Sequence, residues 1–586
     1  MGDSGPCPQG PRDGIRNGRL DGARLYHGLP DAEQGAVHDR KRVVAPRTGE
    51  KNCGCTSDLG FGSLVCRMSE NPQPHAWDAI ILGGALAGSS VALLLRRRNP
   101  RWRILIIEKS ESLGRRVGES TVETSAFFLG RVLGLTDHLN EKHLVKQGMR
   151  FWFYNKKTRG LADCSETGPK YNVRFPGYQV DRAVLDEEVL SRAVAEGAHL
   201  LRPVRIKEVL LAEGGIQTVH WTREDGTAGT ERARWVVDAS GVAAILARKN
   251  GWLVTNKAHP IAACWSRWNG VKSLDSREFA ERNPEWSRRC KAVRFTATNH
   301  ICGKGWWSWW IPLKGGDMSV GIVYDQRITE LPEGQSIGAR LRAFMVEHPA
   351  ARELLDGATF QEGDVHFRRN CAYSCTRYAG DGFVLVGDAA AFMDPFYSPG
   401  MDWISFSASA AAALVDSCLS GRSAPERVAR HNANFKASHD RWFDAIYRDK
   451  YYYMGDHELM TLAFRLDLGS YYLGVVSRPF ATGNSALEIP AFAPQGGRAA
   501  GILMAFYNRR LARIARSRME RGTWGRRNTG RYFGFISYEL NGRLLPRVVG
   551  QLAMWLVLEA REGWRTWFTH ARVESHPPLP VASPVH

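Results

Sequence analysis

Asp78-Ala-Ile-Ile-Leu82-Gly83-Gly84-Ala85-Leu86-Ala87-Gly88 is the stretch on which the fold turns. The five residues before the glycines form a short apolar run that reads as a buried strand. Ser89 to Arg98, rich in Ala, Leu and Arg, reads as a helix, and Arg103-Ile-Leu-Ile-Ile107 as a second buried strand. Strand, glycine turn, helix and strand within about 30 residues make a βαβ unit with a parallel strand pair.

The turn fits G-x-G-x-x-G at its first and last places, with Ala85 in the middle. The first glycine permits the tight turn and the last lets helix and strand pack closely. The middle position lies where the backbone approaches a pyrophosphate on the helix N-terminus, and Ala85 adds one methyl there. Glu108 ends the second strand, 25 residues after Gly83. An acidic side chain at that place accepts hydrogen bonds from a ribose 2′-hydroxyl. Gly83, Gly84, Ala85, Ala87, Gly88 and Glu108 are therefore candidate dinucleotide-binding residues; a purely structural turn is the plainer reading.

Three further segments indicate which dinucleotide. Phe383-Val-Leu-Val-Gly387-Asp388-Ala389-Ala390 reads as a strand running through Gly-Asp into an Ala-rich helix. It resembles the Gly-Asp motif of flavoprotein monooxygenases, which implies that Asp388 meets the ribityl chain of FAD. Val236-Val-Asp238-Ala-Ser-Gly241 resembles the strand that returns to the FAD domain. Gly118-Glu119-Ser120 fits the loop that runs beside the flavin in that superfamily. Arg182, Gly387, Pro395 and Gly400 join Glu119, Ser120 and Asp388 as candidate cofactor contacts. No second Gly-rich βαβ turn is apparent, so the reading is FAD, supplied reduced as FADH2 by a separate flavin reductase.

The expected class is α/β: a Rossmann-type FAD-binding domain, an interleaved sheet-containing substrate domain and a mostly helical C-terminal region. The FAD domain is read over about 76–200, 230–250 and 365–420. The substrate domain is read over about 150–365, from β-like runs such as Met149 to Tyr154, Val204 to Leu211, Arg234 to Val237 and Met318 to Val323. Residues 421–586 read as helical and basic. Residues 1–75, rich in Gly, Asp, Arg and Pro without periodicity, read as a disordered or mis-assigned extension, with Met68 as an alternative start.

Composition bounds the partners. The chain of 586 residues carries +19, and residues 484–586 hold about half of that excess, with 15 Arg, no Lys and 6 Glu. Such a segment suits a membrane surface, an acidic protein or simply solvated helix faces. No recognisable nucleic-acid module accompanies it, and Leu511 and Ile514 look like a packed face. The longest apolar run, Val548 to Leu558, is about half the roughly 20 residues a bilayer requires. No secretory signal is visible. Eleven cysteines lack a disulfide framework, and Cys53-Gly-Cys55 and Cys371-x-x-x-Cys375 lack the partner pairs of a zinc site. No metal is expected, and the compartment reads as reducing and cytoplasmic, with peripheral membrane contact as an extension of that reading.

With these residues in hand, the chain resembles the flavin-dependent halogenases of the FAD-dependent monooxygenase superfamily, over about residues 76–420. Trp307-Ser308-Trp309-Trp310-Ile311-Pro312 fits their W-x-W-x-I-P motif. Phe392-Met-Asp394-Pro395-Phe396-Tyr397-Ser398-Pro399-Gly400 fits their F-x-x-P-x-x-S-x-G motif. Lys146-Gln147-Gly148-Met149-Arg150-Phe151 fits the segment that presents the active-site lysine. The resemblance implies that reduced FAD, O2 and chloride or bromide yield hypohalous acid. It further implies that Lys146, in a Trp-walled cavity with a lowered pKa, passes the halogen to an electron-rich aromatic ring. Lys146, Ser398, Tyr397, Trp307 and Trp309 are the catalytic candidates.

Two departures qualify the likeness. Tyr397 stands where tryptophan-halogenating members carry a glutamate, so phenol- or pyrrole-type substrates, free or tethered to an acyl carrier protein, are the nearer expectation. Pro399 occupies one of the two places whose backbone N–H groups hold halide in the family, and proline has no N–H. An FAD monooxygenase or dehydrogenase without halide chemistry is therefore the alternative. A non-catalytic membrane-surface or nucleic-acid binding protein is a third.

Overall fold

The computed structural model describes residues 76–567 apart from Pro176 and Pro494. The expectations for residues 1–75, for Met68 and for Cys53-Gly-Cys55 lie outside the described residues. Trp77–Leu82 is the central strand of the first sheet, and Ala79 to Leu82 are fully buried. Ile104–Ile107 and His199–Leu201 follow in parallel on one side, and Ala228–Asp238 and Phe383–Leu385 on the other. Numbered along the chain, these strands lie in the order 3-2-1-4-5, the doubly wound Rossmann arrangement. Helices cover such a sheet on both faces, so its strands are continuous apolar runs rather than alternating ones.

The second sheet has nine strands and is mostly antiparallel. Its centre is Trp306–Pro312, between Thr298–Gly303 and Met318–Asp325. Side chains alternate along a strand. Trp307, Trp309 and Ile311 accordingly enter the core shared with the first sheet, while Trp306 and Trp310 pack in a second core with Trp152 and Trp268. Met149–Phe153 pairs with Thr298–Gly303 and with Ser165–Pro169.

Ala424–Trp442, His457–Tyr471, Gln495–Glu520 and Leu544–Arg561 make the C-terminal region helical, and Leu511 and Ile514 are fully buried. The region also contributes a strand, Tyr532–Phe535, which adds in parallel to Ser165–Pro169. One expectation is corrected. Ala389 and Ala390 do not open a helix: Gly387–Ala389 is a single turn, and Ala391–Phe392 is a strand paired with Tyr373–Cys375. Helix propensity is a weak prior, and the strand partner overrides it. The long helix, Pro399–Leu419, begins only after the next proline.

Candidate active site

The first glycine turn has the strain its sequence implies. Gly83 has φ +101°, and a Cβ there would lie 2.7 Å from the Ala239 carbonyl oxygen. At Gly88 a Cβ would lie 2.0 Å from the Gly83 carbonyl oxygen. Ala85 caps helix Leu86–Arg98 in extended backbone, so its methyl is accommodated and the helix N-terminus stays open. Glu108 closes on the turn, accepting from Gly84 N at 2.7 Å and Ser110 N at 2.9 Å. Gly387, φ +61°, packs on Ala87, since a Cβ on it would stand 3.3 Å from the Ala87 methyl. The two glycine motifs, 300 residues apart in sequence, are neighbours. Gly88→Ala is expected to yield protein with about tenfold or weaker affinity for FAD, because overpacking against backbone costs ~1–3 kcal/mol. Titration of the purified variant with FAD, read by its visible spectrum, checks this.

From that junction opens a cavity of about 1220 Å³. Asp388, Arg182, Glu119, Ser120, Trp307 and Trp309 are among its lining residues, and Pro395, Ser398 and Gly400 close it from the long helix's end. Arg182 is anchored by Asp186, Nε to Oδ1 at 2.9 Å and Nη2 to Oδ2 at 3.1 Å. Burial raises the Asp388 carboxyl, against the pull of Arg182 and Arg368. Glu119 is buried on Arg267, Oε1 accepting at 2.7 and 3.0 Å, while its Oε2 has no hydrogen-bond partner among the described residues. Glycines that tolerate no Cβ, an orphaned carboxylate oxygen and two tryptophans around a large cavity fit a flat cofactor with a sugar-phosphate tail. Gly83, Gly84 and Glu108 would hold its nucleotide end, and Asp388, Arg182 and Glu119 its middle and ring.

Lys146 sits at the end of the short strand Leu144–Lys146 and is buried. Its ammonium donates to Ser120 Oγ and to the Thr121 carbonyl, both at 2.8 Å. An ammonium has three N–H donors, so one is left for a ligand. Burial brings the pKa down to about 8, although Glu123 and Asp402 pull it up. The structure corrects the expectation that tryptophans wall this lysine. Trp307 and Trp309 line the large cavity, whereas Lys146 lines an adjoining one of about 480 Å³. That cavity is walled by Met149, Phe464, Tyr472, Phe535 and Tyr538. The physical reason is register: Trp307 and Trp309 point to the first sheet, and Ser120 stands between them and the lysine. Ser120 bridges the two cavities, lining the larger one and bonding both Lys146 and Thr298 Oγ1 (2.8 Å).

Tyr397 and Ser398 both have left-handed backbone, φ +69° and +59°, which is uncommon for such residues. Ser398 N donates to the Pro395 carbonyl and holds the loop. Tyr397 turns away from the large cavity and lines a third, of about 460 Å³, with Asp402 and Asp467. Its hydroxyl donates to Asp467 Oδ2 at 3.2 Å, and Lys450 is ion-paired to the same oxygen at 2.5 Å. Pro399 is the first residue of the 21-residue helix, so the open donors of its first turn begin at Gly400.

Several residues of the site carry no local sequence signal. Trp307 Nε1 donates to Tyr451 OH at 3.1 Å, and Tyr451 OH to Asp394 Oδ2 at 2.9 Å. His259 Nε2 lies 2.7 Å from the same oxygen. His300 lines the large cavity, and burial with Lys146 nearby pushes its pKa down to about 3, so it is neutral. Asp402 accepts from Ser125 N (2.9 Å) and Tyr471 OH (2.8 Å), and burial raises it to about 7. Tyr451, Phe464, Tyr471 and Phe535 belong to the C-terminal region, where the sequence offered no motif.

Comparison with known proteins agrees with this geometry. Residues 76–276 match the FAD binding domain family. A flavin-dependent halogenase of Armillaria mellea, armH1, is 28% identical over 398 residues, covering 64% of this chain and 71% of that protein. Sulochrin halogenase gedL of Aspergillus terreus is 27% identical over 356 residues, covering 56% and 61%. Halogenase PltM, solved in complex with phloroglucinol and FAD, superposes with a TM-score of 0.65 at 18% identity, covering 81% of this chain and 96% of that one. The FAD binding domain over residues 76–276 and the likeness to flavin-dependent halogenases over most of the described chain make this protein an FAD-dependent oxidoreductase that is similar to the flavin-dependent halogenases.

Proposed function

We propose that the protein halogenates an electron-rich aromatic or conjugated ring bound in the Lys146 cavity, using reduced FAD, O2 and chloride or bromide. The observation that carries this reading is the position of Lys146: its ammonium bonds to Ser120, which itself lines the cofactor cavity. Reduced FAD with O2 supplies the oxidising equivalent that converts halide to hypohalous acid. Lys146 holds that acid by hydrogen bonding at the entrance to the substrate cavity. The ring carbon then attacks the halogen, the O–halogen bond breaks, and the departing oxygen takes a proton from the ammonium to leave as water. The ring proton passes to a base, for which Asp402, in the neighbouring cavity with a pKa near neutrality, is suited. Aromatic and aliphatic walls keep water from consuming the oxidant. A relative named for sulochrin and a neighbour solved with phloroglucinol support a small aromatic substrate, free or carried on an acyl carrier protein. The absence of a second Gly-rich βαβ turn supports delivery of electrons by a separate flavin reductase.

Because the ammonium is the working form, kcat/KM should fall as pH rises through about 8, where Lys146 loses its proton. A pH profile at saturating reduced FAD checks the sign; a rate that climbs through that range would instead assign the step to the neutral amine.

Pro399 favours a second reading, hydroxylation without halide. The first turn of the long helix still offers the Gly400 N–H and the positive end of its dipole to an anion. Incubation with reduced flavin, O2, bromide and electron-rich phenols separates the two. Brominated products are expected, and hydroxylated products without bromine would establish the alternative.

A further inference from the structure

The geometry points to a lipid-docking face on the C-terminal helices, one that seats the protein on an anionic bilayer surface. Helix Leu544–Arg561 buries one face through Leu544, Val548, Trp555 and Leu558. Its opposite face is just as apolar: Leu545, Val549, Leu556 and Val557 are between 55 and 65% exposed. No residue from Val548 to Leu558 is charged. A surface helix normally turns a polar face to water, and contiguous exposed apolar residues of this size mark an interaction site. The patch continues past the helix. Trp564 and Trp567 are half-exposed, and Phe506 of the neighbouring helix packs 6.2 Å from Trp567, with Ile502 exposed one turn earlier.

Charge selects the occupant. Six of the eight arginines from Arg509 to Arg527 have a carboxylate partner: the buried Arg510 on Glu559 and Arg518 on Asp456, Glu458 and Glu562, and the more exposed Arg509, Arg516, Arg521 and Arg527 on Asp444, Asp449, Glu562 and Glu458. The expected basic surface is thus partly neutralised by ion pairs, those of Arg510 and Arg518 being internal. The arginines that flank the apolar face are not neutralised in this way. Arg543 and Arg547 at its start and Arg565 at its end have no carboxylate partner among the described residues. Both acidic residues near the helix end, Glu559 and Glu562, are themselves paired with arginine. An apolar stripe bounded by uncompensated arginines and tryptophans suits a helix lying in the headgroup boundary. A second copy of the chain meeting this same face about a two-fold axis would oppose arginine to arginine. No helix of the described residues is long and apolar enough to cross a membrane, so the contact is a surface one.

Sedimentation of the full chain with vesicles tests this. Binding is expected to phosphatidylcholine–phosphatidylserine vesicles, weakening as salt is raised, with much less binding to phosphatidylcholine alone. The double variant Leu556→Asp/Val557→Asp should lower the partition coefficient about tenfold or more. Arg543→Gln/Arg547→Gln should lower it about fivefold per charge on anionic vesicles only. Leu556, Val557 and Arg543 are exposed, and Arg547 is half-buried with only a long bond, 3.4 Å, to the Ser537 carbonyl, so melting temperature and bound FAD should be nearly unchanged, which separates lost docking from lost folding. A protein that stays in the supernatant with both vesicle types would overturn the proposal. So would a dimer in light scattering that Leu556→Asp/Val557→Asp dissociates.

Discussion

Lys146→Ala should purify with FAD bound and turn over no detectable halogenated product, a loss of about 10²–10⁴-fold or more in kcat, the range of a positioned proton donor. The Gly83–Gly88 turn, Glu108 and Asp388 are untouched by this change, so flavin affinity is the internal control. The companion variant Lys146→Met makes the test sharper. Depression of the lysine pKa from 10.5 to about 8 means that the fold tolerates the ammonium at a cost. For a lysine this cost is fully present below about pH 8 and disappears as pH rises through the unfolded value near 10.5. At pH 7 the methionine variant should therefore be more stable than the parent by about 1–3 kcal/mol. A residue retained for architecture would lose stability on replacement. A catalytic one, buried against its solvation preference, should gain stability while activity vanishes. Thermal melts beside product assays read both signs.

Glu166→Gln should carry the largest stability loss of any single substitution in the second sheet, about 3–5 kcal/mol. The Glu166 carboxylate is fully buried and pairs with Arg150 (2.5 Å), Arg294 (2.9 Å) and Arg289 (3.1 Å). Burial alone would raise its pKa, but the guanidiniums, Arg150 foremost, outweigh it and hold the carboxyl below its ordinary value. Arg150 and Arg294 are themselves buried, so a neutral amide leaves two guanidinium charges uncompensated in a dry interior. The consequence reaches the active site, because Arg150 lies four residues after Lys146, on the strand that carries Met149 into the substrate cavity. Denaturant midpoints measure the loss. Its pH signature follows from the sign of the shift: the stabilisation is present above the unfolded carboxylate value of about 4.5 and is lost on acidification.

The sequence determined by itself whatever depends on residues close along the chain. The apolar run, the glycine turn and Glu108 define the first βαβ unit, because strand burial, tight turning and helix start are local properties. Gly387-Asp388 and the Trp motif pointed to the cofactor and to the halogenase likeness for the same reason, since each is a pattern contained within a few consecutive residues. Even the division of Trp306 to Trp310 between two cores was available in principle from the two-residue period of a strand.

What only the tertiary structure decided is which distant groups share a space. Lys146 belongs to a cavity of Phe464, Tyr472, Phe535 and Tyr538 rather than to the tryptophans, because sheet pairing sets Ser120 between them. The segment past residue 420, silent to motif reading, supplies much of that wall and the Tyr451 partner of Trp307. The arginine run that reads as a basic surface is largely paired with carboxylates returned from elsewhere in the chain, while the uncharged stretch Val548 to Leu558, too short to span a bilayer, leaves one face in solvent. Burial and pairing are properties of the folded assembly: a side chain's charge is written in the sequence, but its partner and its exposure are set by where the chain returns.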